Sequence, residues 1–341
     1  MRRLLMLVAL GLTACAGDDA SPAQDPYVFT KPDNFPDPAY TFSNNPVTEE
    51  GFELGRALFY DPILSRDSTI ACANCHQQSR GFSDPVHRFS KGVGGASGFR
   101  NAPAIQNMAF DKFFFWDGGV NHLDFVPINA ITSELEMHET LAGVILKLQK
   151  NETYKTKFND AFGPGEINSQ KMLHALSQFL SMMVSSNSRY DRYVRGEGEQ
   201  LTSDELNGLH LFRSKCASCH ATDLFTDGSF RNNGLDASFD EDTGRQRITE
   251  TVDDRGKFKV PSLRNAEITF PYMHDGRFKT LGEVIDHYRN NIKPSATLDP
   301  ILDGGIPISD GEKASIIAFI KTLTDREFIR DPRFSLPVIN H

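Results

Sequence analysis

Tryptophan occurs once in these 341 residues, at Trp116, and cysteine only five times. Positive charge is scarce as well: 36 Lys and Arg stand against 45 Asp and Glu, a formal net charge of −9. Phosphate backbones need a basic footprint that this balance does not supply, so nucleic acid is not an expected partner. The apolar stretch from Leu4 to Leu12 is too short to cross a bilayer and stay there. Preceded by Arg2 and Arg3, it reads as an export signal occupying residues 1–14.

The end of that signal is more specific. Leu12-Thr13-Ala14-Cys15 places small residues before a cysteine, an arrangement similar to the lipobox of bacterial lipoproteins, in which the cysteine is lipidated and becomes the mature N-terminus. An ordinary signal peptide that happens to contain a cysteine is the alternative. Ala16, not aspartate, comes next, which points to the outer membrane on its periplasmic side. Loss of Arg2 and Arg3 on cleavage would take the formal charge from −9 to −11.

The other four cysteines fall into two identical pairs, and none remains for a disulfide framework. Each pair runs into histidine, as Cys72-Ala73-Asn74-Cys75-His76 and Cys216-Ala217-Ser218-Cys219-His220. This is the attachment sequence of c-type haem: two thioethers to the porphyrin, and the adjacent histidine under the iron. Two such motifs behind an export signal argue against chance and against zinc. The sixth coordination position then decides function, since a strong ligand there makes an electron carrier and an open, polar site admits peroxide.

The chain carries an internal echo. Residues 15–45 are rich in Pro, Asp, Asn and Ser and are expected to form a tether. From Pro46 onward, Thr48-Glu49-Glu50 opens an apolar helical pattern through Leu54, Ala57 and Leu58 toward the first haem motif. Thr202, with Glu205 three residues later as a capping box, opens another through Leu206, Leu209 and Leu211 toward the second. Later amphipathic helices are expected at about 169–184 and 310–323. Gly and Pro cluster at 92–103 and 303–307, and strand patterns are few. The expected fold is mainly α, with two cytochrome c-like haem domains at 46–200 and 201–341.

Several segments carry a family resemblance. Leu58-Phe59-Tyr60-Asp61-Pro62 with Leu64-Ser65, Arg100-Asn101-Ala102-Pro103, Phe115-Trp116-Asp117-Gly118, Glu136-Met137, Val260-Pro261-Ser262-Leu263-Arg264-Asn265 and Pro271-Tyr272-Met273-His274-Asp275-Gly276 resemble, in order, the motifs of the bacterial di-haem cytochrome c peroxidase/MauG family. The match runs over about residues 46–325. It implies two covalent haem c groups in facing domains, with a calcium ion and a tryptophan between them, in an enzyme that uses hydrogen peroxide.

Subtype follows from the sixth ligands. Respiratory members carry a histidine in the Gly-rich loop that caps the first haem, whereas Ser90-Lys91-Gly92-Val93-Gly94 has Val93 there. His87 is a nearby rival whose bland reading is a solvated loop histidine. Where respiratory members place a methionine beyond the Pro-Tyr-x-His segment, this chain has Tyr288, which resembles the MauG/MbnH-like members; a phenolate favours oxidised iron where a thioether favours reduced iron. Met273 and His287 are rival ligands. Trp116 takes the place of the residue between the haems, as an oxidisable relay, and Glu136 that of the distal glutamate that shuttles a proton, with Glu134 its nearby competitor. Calcium is implied at the Asn101 side chain and the Thr269 and Pro271 carbonyls. Val126, Ala130 and Gly119 depart from the family pattern on the distal side. The implied partner is a periplasmic protein whose side chain is oxidised. A small cytochrome donor, as for a respiratory peroxidase, and a non-catalytic di-haem electron carrier are the alternatives.

Overall fold

In a computed structural model, residues 26–337 are described; Cys15 and the export signal lie outside them. The anticipated helices form where their caps are. Thr48 accepts from the Gly51 N–H and starts the Glu49–Tyr60 helix, and the Thr202/Glu205 capping box starts Ser203–Lys215. Asn168 caps Ser169–Met182, and a Ser309/Glu312 capping box opens Asp310–Lys321. The only strands among the described residues are Phe230–Arg231 and Phe258–Lys259, an antiparallel pair with Phe230 opposite Lys259. The fold is mainly α.

Each lobe is built on one helix crossing, and the two crossings use a glycine and a facing phenylalanine in the same register. Gly55 lies against the Ala175 carbonyl and the Phe179 Cβ, while Gly208 lies against the Ser315 carbonyl and the Phe319 Cβ. A Cβ on either glycine would overlap backbone, so the close approach requires glycine. One helical turn beyond each glycine an aromatic ring packs into the crossing. Phe59 sits 5.2 Å from Phe179 and 6.0 Å from Phe82; Phe212 sits 5.2 Å from Phe319 and 5.7 Å from Phe225.

The cores exchange chain in two places that the sequence reading did not foresee. Residues 26–45, expected as tether, pack onto the first lobe and reach the second: Phe35 and Tyr40 are buried, Tyr40 donates to Asp124 at 2.8 Å, and Asn34 donates to Asp191 of the second lobe at 2.9 Å. Aromatic rings spaced through a polar stretch suffice to dock it. Residues 328–334, expected in the second domain, return to the first, where Phe328 and Phe334 meet Phe82 at 5.6 and 6.5 Å. Tyr190 already belongs to the second core, so the lobes change over near residue 185, ahead of the expected boundary at 200.

Between the lobes lies a charged seam. Arg100 donates to Asp117 at 2.5 Å and, through two nitrogens, to Asp242 at 2.6 and 2.7 Å. Arg245 from the second lobe grips the Asp117 and Gly118 carbonyls at 2.8 and 3.0 Å.

Candidate functional site

In the first motif Cys72–Cys75 forms a single helical turn that delivers His76. The His76 Nδ1 lies 2.9 Å from the Phe82 carbonyl, and the His220 Nδ1 lies 2.9 Å from the Phe225 carbonyl. A carbonyl can only accept, so each ring carries its proton on Nδ1 and keeps the Nε2 lone pair for a metal. Burial lowers both imidazole pKa values, with the carbonyl bond working against it, so both rings are neutral at pH 7. All four cysteines are free of disulfides. Burial lifts the Cys72 and Cys216 thiols to about 12, the neighbouring cysteine of each pair adding to the rise. Two thiols and a neutral imidazole oriented by backbone carbonyls, presented twice, fit covalent haem.

On the first lobe Val93 is buried and its N–H donates to the Glu136 carbonyl at 2.8 Å. Gly92 approaches the Leu135 and Glu136 carbonyls too closely for any side chain. The Glu136 turn is held from behind by the Val126–Thr132 helix, with Met137 N–H on the Ala130 carbonyl at 3.1 Å. The Glu136 side chain opens to solvent, yet desolvation by the protein around it raises its carboxyl pKa, and its charge acts on both Cys72 and Cys75. Glu134, its competitor, is exposed. The His87 Nδ1 pairs with Asp84 at 3.2 Å in a loop that Asp84 also ties through Ser90.

The second lobe brings the three rival ligands together around one residue, Asn233. Its Nδ2 donates to the Met273 sulfur at 3.5 Å, its carbonyl engages the His287 Nε2 at 3.0 Å, and its side chain hydrogen-bonds Tyr288. Burial pushes the Tyr288 phenol up to about 12, the Asn233 bond opposing and the Cys219 and Cys216 thiols adding to it. Metal ligation at Tyr288 therefore requires displacement of a firmly held proton. His287 would have to give up its carbonyl.

Trp116 stands in the seam. Its indole N–H donates to the Asn101 carbonyl at 2.8 Å, its own carbonyl accepts from Lys259 N–H of the second lobe at 2.7 Å, and the Asn101 N–H donates to the His274 carbonyl at 2.7 Å. Asn101 therefore meets the second lobe at His274, three residues beyond Pro271, and its buried side chain donates to the Arg88 carbonyl at 3.1 Å. No cluster of three His, Cys, Asp or Glu suited to a metal occurs among the described residues. Gly119 is exposed beside the carbonyls that Arg245 holds.

Sequence reasoning overlooked a second repeat. The Trp116 turn and the His274 turn are one structure used twice: Phe115 and Met273 have φ of 66° and 73°, Gly118 and Gly276 of 68° and 65°, and bridges join Phe114 to Val120 and Tyr272 to Phe278. Only glycine takes such φ values freely. The shared Asp-Gly of Trp116-Asp117-Gly118 and His274-Asp275-Gly276 was the available signal, and it aligns Trp116 with His274 and Phe115 with Met273.

Two helical lobes, each presenting a thiol pair and an oriented imidazole, define a di-haem c-type protein. Comparison with known proteins gives the class its family. The family described as di-haem cytochrome c peroxidase matches over residues 49–199. The methylamine utilization protein MauG of Methylorubrum extorquens is 35% identical over 300 residues, 86% of this chain and 83% of that one. The cytochrome c551 peroxidase of Nitrosomonas europaea is 32% identical over 307 residues, 86% of this chain and 84% of its own. Among solved structures, a MauG-like protein associated with microbial copper homeostasis superposes with a TM-score of 0.82 at 34% identity, covering 90% of this chain and 98% of that one. The chain belongs to the di-haem cytochrome c peroxidase/MauG family, and it is an oxidoreductase of the peroxidase type with two haem c groups.

Proposed function

We propose that this is a MauG-like member, an enzyme that reacts with hydrogen peroxide without prior reduction and spends the oxidising equivalents on a side chain of a partner protein. The observation that carries this reading is Val93. In place of a capping histidine it is an apolar side chain, pinned by its own N–H to the backbone of Glu136. No ligand from that loop competes with peroxide. Covalent haem would supply the iron that takes up peroxide and holds the oxidising equivalents.

The protein's own groups supply the rest. Cys72, Cys75 and His76 hold the first haem, and Cys216, Cys219, His220 and Tyr288 the second. Glu136, with its raised pKa, accepts a proton from one peroxide oxygen and returns it to the other. Trp116 relays electrons between the lobes. Its N–H bonds to a carbonyl, which accepts a hydrogen bond but not a proton, so the indole passes an electron and keeps its hydrogen. Asn101, Thr269 and Pro271 hold calcium at the seam, Arg88 is drawn onto Asp275 beside it at 2.6 Å, and the mature chain is anchored in the periplasm through Cys15. No helix among the described residues is long and apolar enough to cross a membrane.

Electron paramagnetic resonance of the purified diferric protein tests the reading. One high-spin and one low-spin haem are expected, with an immediate Soret change on adding peroxide. Tyr288→Phe should alter the low-spin signal and Met273→Leu should leave it. Two low-spin haems inert to peroxide would identify a carrier. A requirement for prior reduction, with rapid turnover of a reduced cytochrome, would identify the respiratory type. A mass increase on Trp or Tyr of a candidate partner protein, dependent on peroxide and on Trp116, identifies the substrate class.

A further inference from the structure

Oxidising a tyrosine makes its phenolic proton strongly acidic, so the reaction is easy only where a base already holds that proton. Three tyrosines donate to a carboxylate at short range: Tyr40 to Asp124 at 2.8 Å, Tyr154 to Asp61 at 2.7 Å and Tyr190 to Asp223 at 2.7 Å. Of these, Tyr190 is the one joined by ring contact to the residue that orients a proximal histidine. Its ring lies 5.1 Å from Phe225, whose carbonyl takes the His220 Nδ1–H, and 5.7 Å from Phe319.

The first lobe supplies an internal comparison. Against the equivalent pair, Phe82 and Phe179, it places Phe334, at 6.5 and 6.2 Å. The frame therefore accepts phenylalanine at this place, and packing alone does not call for a hydroxyl. The second lobe has one, and it is given a carboxylate whose loop is fixed: the Arg264 Nε donates to the Asp223 carbonyl at 2.7 Å. Tyr190 is buried while Asp223 is half-buried, so the proton has an exit and the ring has no contact with outside molecules.

We infer that Tyr190 is an internal oxidation site for the second haem, acting when no partner is present to be oxidised. One electron leaves the Tyr190 ring for the second haem. The phenolic O–H bond breaks and an O–H bond forms on the Asp223 Oδ1, leaving a neutral tyrosyl radical. Peroxide, reduced to two waters, leaves two oxidising equivalents in the protein, and this step consumes one. The site takes its oxidant from the peroxide reaction proposed above and rests on it. Trp116 and Tyr190 then differ by what receives their hydrogen bond. A carbonyl makes the indole a relay, and a carboxylate makes the phenol a sink.

The test is rapid freeze-quench electron paramagnetic resonance of the diferric holoenzyme mixed with peroxide and no partner, with the Soret band followed in parallel. An organic radical is expected whose spectrum narrows when the protein is made with ring-deuterated tyrosine. Tyr190→Phe should abolish it, and Tyr154→Phe, which removes an equal bond in the other lobe, should not. Asp223→Asn should lower the yield, since an amide oxygen holds the phenol without taking its proton. Should Tyr190→Phe fail to load haem, mapping of wild-type peptides after repeated peroxide doses replaces it: oxidation concentrated on Tyr190 supports the site, and an unmodified Tyr190 overturns it. A Soret change without a tyrosine radical, or a radical unaffected by Tyr190→Phe, also overturns it. A Soret band inert to peroxide overturns the proposed function and removes the oxidant on which this site depends.

Discussion

Arg264 is the largest fully buried side chain among the described residues, and its replacement by methionine should be among the costliest single changes in this protein. The guanidinium and the Asp191 carboxylate both have zero exposure and meet in a fork of 2.6 and 2.8 Å. The third nitrogen holds the Asp223 carbonyl, and the ring of Phe35 lies 4.3 Å from the cation. Methionine keeps the apolar stem and removes the charge. Asp191 then retains only neutral donors, Ser188 N–H at 2.8 Å, Ser188 Oγ at 2.6 Å and Asn34 at 2.9 Å. Breaking a buried pair by removing one partner costs about 3–5 kcal/mol, roughly a third of the stability of an ordinary domain.

The sign with pH is fixed by the same pair. Burial works to raise the Asp191 pKa, and Arg264 outweighs it, so the carboxyl lies below the ordinary aspartate value of 3.8. A depressed acid contributes stability above its unfolded pKa and loses it as pH falls through the folded one. Without Arg264, burial governs, and the mutant is penalised most where Asp191 must ionise. The gap between wild type and Arg264→Met should therefore be widest near pH 7 and close on acidification. Equilibrium urea unfolding at several pH values measures it, and Asp191→Leu in the mutant background should recover part of the loss. A cost under about 1 kcal/mol at pH 7, the scale of an exposed pair, or a gap independent of pH would refute the argument.

Gly208→Ala gains about 1 kcal/mol of helix propensity but drives a methyl into the Ser315 carbonyl; a net destabilisation of about 1–3 kcal/mol is expected by thermal unfolding, and any stabilisation contradicts the tight crossing. Glu136→Gln should slow the peroxide reaction by roughly 10²–10⁴-fold in stopped-flow traces while haem loading is unchanged; the wild-type rate should fall on acidification with a midpoint above the ordinary glutamate value of 4.5, raised by desolvation, and an unaltered rate in the variant removes Glu136 from the mechanism. His274 is buried and stacked 3.6 Å from Phe258, and burial lowers its pKa to about 4, with Asp275 and Asp242 pulling the other way. An unfolded chain binds that proton near pH 6.5 and the folded one does not, so stability should drain away between pH 6.5 and 4, about 3 kcal/mol in all; His274→Asn should flatten that slope, and equal slopes in both proteins refute the assignment.

Signals that live within one turn of chain were legible, and contacts between distant segments were not. The Thr202/Glu205 box and the two Cys-x-x-Cys-His motifs are local, and each forms where its residues stand. Residues 26–45 read as tether because their composition is polar, yet Phe35 and Tyr40 find a core that their own neighbours do not advertise. Residues 328–334 follow the second haem motif in the chain, whereas Phe328 and Phe334 pack on the aromatic crossing of the first lobe. Arg264 and Arg100 both precede asparagine, and both turn out to clamp carboxylates, the buried Asp191 for one and the buried Asp117 with the half-buried Asp242 for the other. The repeated Arg-Asn pair was visible, but its acids lie 17 to 142 residues away in the chain, where no spacing rule reaches.

The duplication also shows where chemistry was added to packing. A position that occurs in both lobes must satisfy the same neighbours twice, so side chains that agree there, as Gly55 with Gly208 or Phe59 with Phe212, are explained by the frame. Side chains that disagree call for another cause. Phe334 against Tyr190 is a difference of one hydroxyl, and that hydroxyl meets a carboxylate. Trp116 against His274 is a difference of ring, and the two do not act apart. The His274 carbonyl takes the Asn101 N–H while the Asn101 carbonyl takes the Trp116 indole N–H, at 2.7 and 2.8 Å. One residue therefore couples the equivalent turns of both lobes at the seam, and the ring proposed above as the electron relay is held in a position that each lobe helps to set.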